Sequence, residues 1–206
     1  MMVAVLITSL ICIVLWELFG SGSRAAVYGT WYSARTAELR TGLRMIREDL
    51  AKATYTSVIT PTNVTVNDGP AFSDHYIGYH GGKTTLPGSL DLITYHICRP
   101  DRTAMPTTEN QQPADIAVKL SASGTNLHYT RASAGGAVND VKPEDLYDRD
   151  LIRDVEWIEI TLTPQATGDS TGTLAIRVKC KYPTEPQKGC EETTTCKLNL
   201  TYKTIP

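Results

Sequence analysis

No sign of charge dominates this sequence: 20 Lys and Arg stand against 22 Asp and Glu, a formal net charge of −2. That balance argues against a nucleic-acid binder, which presents a basic face to phosphates. Aromatic residues are scarce too, at 7% of the 206 residues. Gly, Pro, Thr and Asn crowd the last 150 or so residues, the texture of short strands and many turns rather than of a helical enzyme. No basic residue precedes Arg24, so the charged n-region of a secretory signal peptide is missing. There is no Gly-x-Ser-x-Gly, no P-loop, no His-Glu-x-x-His and no calcium-binding loop. The four histidines, His75, His80, His96 and His128, are scattered. His75 and His80, with Asp74, come nearest to a cluster and read as exposed polar residues of a turn. Asp145, Asp148 and Asp150 read as a solvated acidic face. The sequence thus suggests no catalytic residue, no metal site and no cofactor.

What is present begins at the N-terminus. Met1–Phe19 (MMVAVLITSLICIVLWELF) holds one ionisable side chain, Glu17. At ~1.5 Å per residue this run reaches roughly 29 Å as a helix, about the thickness of a bilayer's hydrocarbon core. Three readings stay open for it: a cleaved signal, a single-pass anchor, or a helix that anchors first and later forms the core of an assembly. Met1, Val5, Leu6, Leu10, Ile13, Val14, Glu17 and Phe19 are the residues through which that helix would assemble. Gly20-Ser21-Gly22-Ser23 follows. Two glycines and two serines nearly remove helix propensity, so a break is expected here, with Gly20 and Gly22 as hinge.

An amphipathic helix is expected over 24–55. Leu39, Leu43, Ile46, Leu50 and Ala53 step by four, three, four and three, which is one helical stripe. Arg35, Glu38, Arg40, Arg44, Arg47, Glu48 and Lys52 occupy the opposite face. The second half of this stem should therefore lie on a core while the first half projects. Beyond Thr60-Pro61 the period changes to that of strands. Candidates are 62–66, 76–79, 90–98, a hairpin of 116–120 with 127–131, the pair 155–163 and 173–181, and a closing strand over 196–203. One or two helical turns are expected in 143–153. In the 155–163 strand, Ile158, Ile160 and Leu162 mark the buried face. Three segments result: residues 1–23 as a hydrophobic helix, 24–55 as its stem, and 56–206 as a β-rich head. The fold class is α+β, a long N-terminal helix (apolar half, then amphipathic half) packed on an antiparallel β-sheet.

Of five cysteines, Cys12 falls in the apolar run and acts there as a small hydrophobe. Cys98, Cys180, Cys190 and Cys196 fall in the head, with no close C-x2-C spacing for zinc. In an exported head two disulfides are expected among them, and three connectivities are possible. Asn63-Val64-Thr65 and Asn199-Leu200-Thr201 match the glycosylation pattern, a pattern that chance also produces in a Thr-rich chain.

Three stretches resemble the type IV pilin superfamily, especially its larger minor pilins and the J-like pseudopilins of type II secretion. The first is MMVAVLITSLICIVLWELF, like a mature pilin's apolar helix. The second is RTAELRTGLRMIREDLAKA, like the family's stem. The third is the order of DLITYHI, NLHYTR, DLIRDVEWIEITL and TLAIRVK in the head. The resemblance implies a non-enzymatic structural subunit of a pilus-like filament on the cell surface. It also implies copies of itself and other pilins as partners, the inner membrane before assembly, and a prepilin peptidase, N-terminal methylation and an assembly machinery. The alternatives are a minor pseudopilin or a membrane-anchored binding domain. A loop closed between Cys180 and either Cys190 or Cys196 is similar to the disulfide-bounded C-terminal region of many pilins. One departure stands out. Taking Met1 as the mature first residue, Val5 stands where pilins place an assembly glutamate, and Glu17 lies roughly 18 Å of helix away. Glu17 then needs a basic partner on a neighbour, most simply Arg24 or an N-terminal amine.

Overall fold

The computed structural model describes residues 2–53, 57–60, 63–66, 77–99, 114–134, 141–164, 172–198 and 202–204. The first element is a single α-helix, α1 (Met2–Leu50), of 49 residues. The stripe expected from the stem's period is its buried edge: Leu39 and Ile46 are fully buried, Leu43 and Leu50 nearly so. Each such side chain contributes about 1.5–3 kcal/mol of burial. These four residues therefore anchor a helix whose other half makes no comparable contact.

The helix is continuous through 20–23, which corrects the expected break at Gly20 and Gly22. Each glycine costs about 1 kcal/mol relative to Ala, yet extending an existing helix adds one hydrogen bond for every residue ordered. Ser21 Oγ also donates to the Leu18 carbonyl at 3.0 Å, which satisfies the hydroxyl inside the helix.

Twelve strands follow among the described residues. They are β1 (Ser57–Thr60), β2 (Asn63–Val66), β3 (Ile77–Tyr79), β4 (Gly82–Thr85), β5 (Gly88–Arg99), β6 (Ala114–Gly124), β7 (Asn126–Ser133), β8 (Tyr147–Ile152), β9 (Val155–Pro164), β10 (Gly172–Tyr182), β11 (Glu185–Leu198) and β12 (Tyr202–Thr204). Strands β1 and β2 form a separate ribbon; the others make a six-stranded sheet, β12-β3-β5-β6-β7-β8, and a four-stranded sheet, β11-β10-β9-β4. Pairing is antiparallel throughout except between β12 and β3. The expected hairpin of β9 with β10 is present, with Ile160 opposite Ile176 and Ile158 opposite Val178. All four are buried, as their alternation requires.

Two boundaries differ from the sequence reading. The helical turns expected over 143–153 shrink to one 3-10 turn at Pro143–Asp145, and the rest is β8. Pairing with β7 decides this, and a register shift that leaves Leu151 unpaired in the ladder lets Leu151 and Ile152, adjacent in the chain, both reach α1. The closing strand begins at Glu185 rather than Cys196, because β11 runs antiparallel to β10 over nearly its whole length. Its charged and Thr-rich sequence hides it from a hydrophobic pattern.

A buried polar network ties helix to sheet. Asp49, 2% exposed, accepts from Tyr129 Oη at 2.5 Å and from Arg131 Nε at 2.9 Å. Tyr95 lies 2.9 Å from Tyr129 and is its donor, since Tyr129 spends its own hydrogen on Asp49. Burial, then the Asp49 hydrogen bond, pushes the Tyr129 hydroxyl well above the ordinary phenol range. The Tyr95 hydroxyl is raised chiefly by burial. Both phenols are thus held neutral, as donors. Around Arg131, burial is the largest single effect and opposes the charge, but the hydrogen bonds and charge attraction of Asp49 and Tyr129 together outweigh it and raise the guanidinium.

Candidate assembly surface and stem–head junction

Every residue from 7 to 27 is exposed except half-buried Gly20. The exposed side chains are those of a core: Leu10 is 64% exposed, Trp16 83% and Phe19 74%. Ile13 and Val14 are exposed in the same way, and Glu17 is the one charge among them. Cys12 is a free, exposed thiol. Val5 and Leu6 belong to the same helix by their backbone, and Met1 lies outside the described residues. By length and composition this helix can cross a membrane. A signal-like segment or a soluble core helix passes the same test, but a core helix is buried and this stretch is not.

Where the helix meets the head, Trp31, Arg35, Glu38 and Gly42 recur on one face at i, i+4, i+7 and i+11. The first three grip the two-residue link Arg153-Asp154, which carries the chain from β8 in one sheet to β9 in the other, while Gly42 faces Leu151 and Ile152 of β8. Trp31 Nε1 donates to Asp154 Oδ2 at 3.1 Å. Arg35 Nε stands 3.1 Å from the same oxygen as an ion-pair contact without the alignment of a hydrogen bond. Glu38 pairs with Arg35 and accepts from the Arg153 backbone N–H at 2.8 Å. Asp154 itself has φ +58°, in the left-handed region where Asp and Asn are the tolerated side-chain-bearing residues. Its shape turns the corner while its carboxylate reaches the stem. Two residues before Gly42, on another side of the helix, Arg40 pairs with Glu192 of β11 at 2.7 Å.

Above the clamp sits an aromatic collar. Tyr28 and Trp31 of the helix pack edge-on against Tyr182 at the end of β10, with ring centroids 5.3 and 5.1 Å away. Lys188 lies over Tyr28 at 5.1 Å. Tyr28 and Trp31 are thus spent within one chain. Tyr32 remains exposed, and Tyr55 lies outside the described residues.

Two open hollows flank this junction. One of about 370 Å³ lies between α1 and β8 and is lined by Glu38, Gly42, Tyr147 and Arg149 among others. The second, of about 460 Å³, is lined by Ser23, Arg24, Val27, Tyr182, Thr184 and Glu185. Among the described residues no three His, Cys, Asp or Glu are placed to hold a metal ion.

The remaining sequence candidates scatter. His75 and Asp74 lie outside the described residues, while His80 stands alone after β3. Asp145 accepts from the Lys142 backbone in its own turn. Asp148 and Asp150 instead bracket His128, at 2.7 Å from Nε2 and 3.0 Å from Nδ1. Sequence spacing gives no sign of this triad, because the β7–β8 pairing creates it. Asn63 opens β2, and Asn199 lies outside the described residues.

Cys180, Cys190 and Cys196 are free thiols, and Cys98 is described by its backbone in β5 only. The expectation of two disulfides extends to Cys98, whose side chain lies outside the described residues. Cys196 Sγ donates to the Arg47 carbonyl at 3.7 Å, at the far end of β11 from Cys190, so no described cysteine is within its reach. Against these features, no protein-family model, no curated protein and no solved structure matches the chain.

Proposed function

We propose that this chain is a non-catalytic structural subunit of a type IV pilus-like filament, held together by the apolar half of α1. One observation carries the reading. A single unbroken helix is buried in the head over its last turns and bare over a run of Ile, Leu, Val, Trp and Phe. Those side chains lose about 25 cal/mol of stability for each Å² left in water, so an occupant must cover them. A bilayer covers them before assembly, and helices of other copies cover them in the filament. Extraction from lipid into a water-facing fibre is the step where burial against copies drives association.

A second feature supports close packing between copies. Gly22, Ala26, Gly29, Ser33 and Ala37 lie on the helix side away from Trp31 and Glu38, and all are exposed. A Cβ at Gly20, Gly22 or Gly29 would meet nothing within 4 Å. The subunit's own packing does not require these glycines; a neighbouring helix would. The stem clamp and collar then serve to hold the head rigidly on its helix. Prepilin peptidase, inner membrane, other pilins and the assembly machinery enter as partners through the family resemblance.

Electron microscopy of the full chain, with the mass of its N-terminal peptide, tests the reading. Filaments from a chain with a processed, methylated Met1 support it. Dispersed detergent-bound monomers with an unprocessed initiator Met overturn it in favour of a membrane-anchored domain.

A further inference from the structure

We infer that Cys180 and Cys190 are a disulfide-forming pair of the head, joined by a cross-strand bond that closes the β10–β11 hairpin beneath the stem. The assignment rests on strand register and not on the filament reading. Cys180 and Cys190 are direct partners across the antiparallel ladder of β10 and β11. Residues so placed have Cα atoms about 4.5 or about 5.5 Å apart, according to the type of pair. Both separations lie within the roughly 4.4–6.8 Å that a disulfide spans.

The rival connection fails on the same ladder. Cys196 stands opposite Leu174, six residues along β10 from Cys180. At ~3.4 Å per residue that is roughly 20 Å, three times what a disulfide bridges. Cys196 is also engaged with the Arg47 carbonyl of the stem. The backbone around the pair is unusually close. A Cβ at Gly189 would lie 2.3 Å from the Cys180 carbonyl oxygen, so glycine beside Cys190 is what lets the two strands approach.

The two thiols are chemically unequal. They hydrogen-bond to each other, and that contact, with burial, raises the Cys180 thiol. The same contact lowers Cys190, helped by the hydroxyl of Thr36 and the charge of Arg35 on the stem. Cys190 lies on β11, the edge strand of its sheet, and is the attacking thiolate; Cys180, one strand further in, is the resolving thiol. The oxidant is a disulfide-carrying oxidoreductase. The Cys190 thiolate attacks one carrier sulfur, forming a mixed disulfide and releasing the other as a thiol. Cys180 then attacks the Cys190 sulfur, forming the internal bond and releasing the second carrier thiol. Two electrons pass to the carrier, and its two sulfurs take up the two protons that the cysteines give up. Both cysteines are buried in the folded chain, at 0% and 6% exposure, so the exchange takes place on the hairpin before α1 seals it.

The test uses the full chain produced in parallel in an oxidising and a reducing compartment. Free thiols are alkylated under denaturing conditions, and the chain is cleaved after Lys and analysed without reduction. Cys190 and Cys196 remain on one peptide, so fragmentation of the linked species places the bond. The expected result is a Cys180–Cys190 link in most of the chain from the oxidising compartment, with Cys12 and Cys196 alkylated. All of them should be alkylated in the chain from the reducing compartment. Cys180 and Cys190 both alkylated after oxidising production would overturn the assignment. So would either one joined to Cys98 or Cys196. In the Cys180→Ser variant, Cys190 should stay alkylatable; a new bond from Cys190 to another cysteine in the chain would count against the pair as well.

Discussion

Tyr129 donates its phenolic hydrogen to Asp49 across 80 residues of chain, at 2.5 Å and out of reach of solvent. This contact joins the last turn of the helix to the middle of the six-stranded sheet, with Arg131 supplying the charge that Asp49 would otherwise lack. Removing one member of a buried charge pair leaves the other uncompensated. Asp49→Ala should therefore destabilise the protein by about 3–5 kcal/mol. Tyr129→Phe removes one donor and leaves the Arg131 pair in place, for a loss of about 1–3 kcal/mol. Chemical unfolding of the detergent-solubilised chain measures both. Equal, small effects would show that the network is not what holds helix to sheet.

Gly42 is where α1 comes closest to β8. A Cβ there would meet Ile152 Cγ1 at 3.0 Å and Leu151 Cγ at 3.1 Å. Gly42→Ala gains about 1 kcal/mol of helix propensity, which the tight contact offsets, so the net change should be small. Gly42→Val adds branched bulk against packed side chains and loses most of the propensity gain. A loss of about 1–3 kcal/mol is expected, read as a lower unfolding midpoint with unchanged cooperativity.

His128 gives the head a pH dependence of definite sign. Its hydrogen bond to Asp150 is the main cause that raises its pKa; burial, the next in size, lowers it, and the hydrogen bond and charge of Asp148 raise it again. Asn126 also donates to Asp150, at 2.7 Å. Because the folded pKa is the higher one, the folded state binds the proton more tightly. The stabilisation is fully present below the ordinary imidazole value of 6.5 and is lost as pH rises through the folded value. Wild-type protein should lose stability relative to His128→Gln as pH rises from below 6.5 through the raised folded value. Parallel pH profiles for the two proteins would refute the coupling.

The sequence shows the helix and the main hairpin because both bury residues at regular spacing: Leu39, Leu43 and Ile46 by helical period, Ile158 and Ile160 by alternation. It hides β11, where Glu191, Glu192 and three threonines alternate no apolar face, and β8, where Tyr147-Asp148-Arg149-Asp150 looks helical until pairing with β7 is known. The continuity of α1 past Gly20 is likewise invisible, since local propensity at 20–23 points the other way. The exposed assembly residues are legible as a hydrophobic run. The clamp of Trp31 and Arg35 on Asp154 joins residues more than a hundred positions apart, which no single-sequence pattern reports.

The assembly surface and the head should respond separately to mutation. Ile13 is 61% exposed and touches nothing in the head, whereas Ile46, on the same helix, is fully buried. Ile13→Glu places a second carboxylate in the bare segment, four residues before Glu17, where like charges repel along the helix. A charge at the centre of a span costs about 2.5–3.5 kcal/mol on membrane-insertion scales, and more where packed helices exclude water. The variant should abolish filaments and weaken membrane association while the head's unfolding midpoint stays at the wild-type value. Ile46→Ala should do the reverse, lowering the midpoint by about 2–5 kcal/mol of stability and leaving the apolar surface intact. Sedimentation of membranes and filaments, together with unfolding followed by tryptophan fluorescence, reads both effects on the same preparations. If Ile13→Glu left membrane binding and assembly unchanged, the exposed half of α1 would not be the assembly surface.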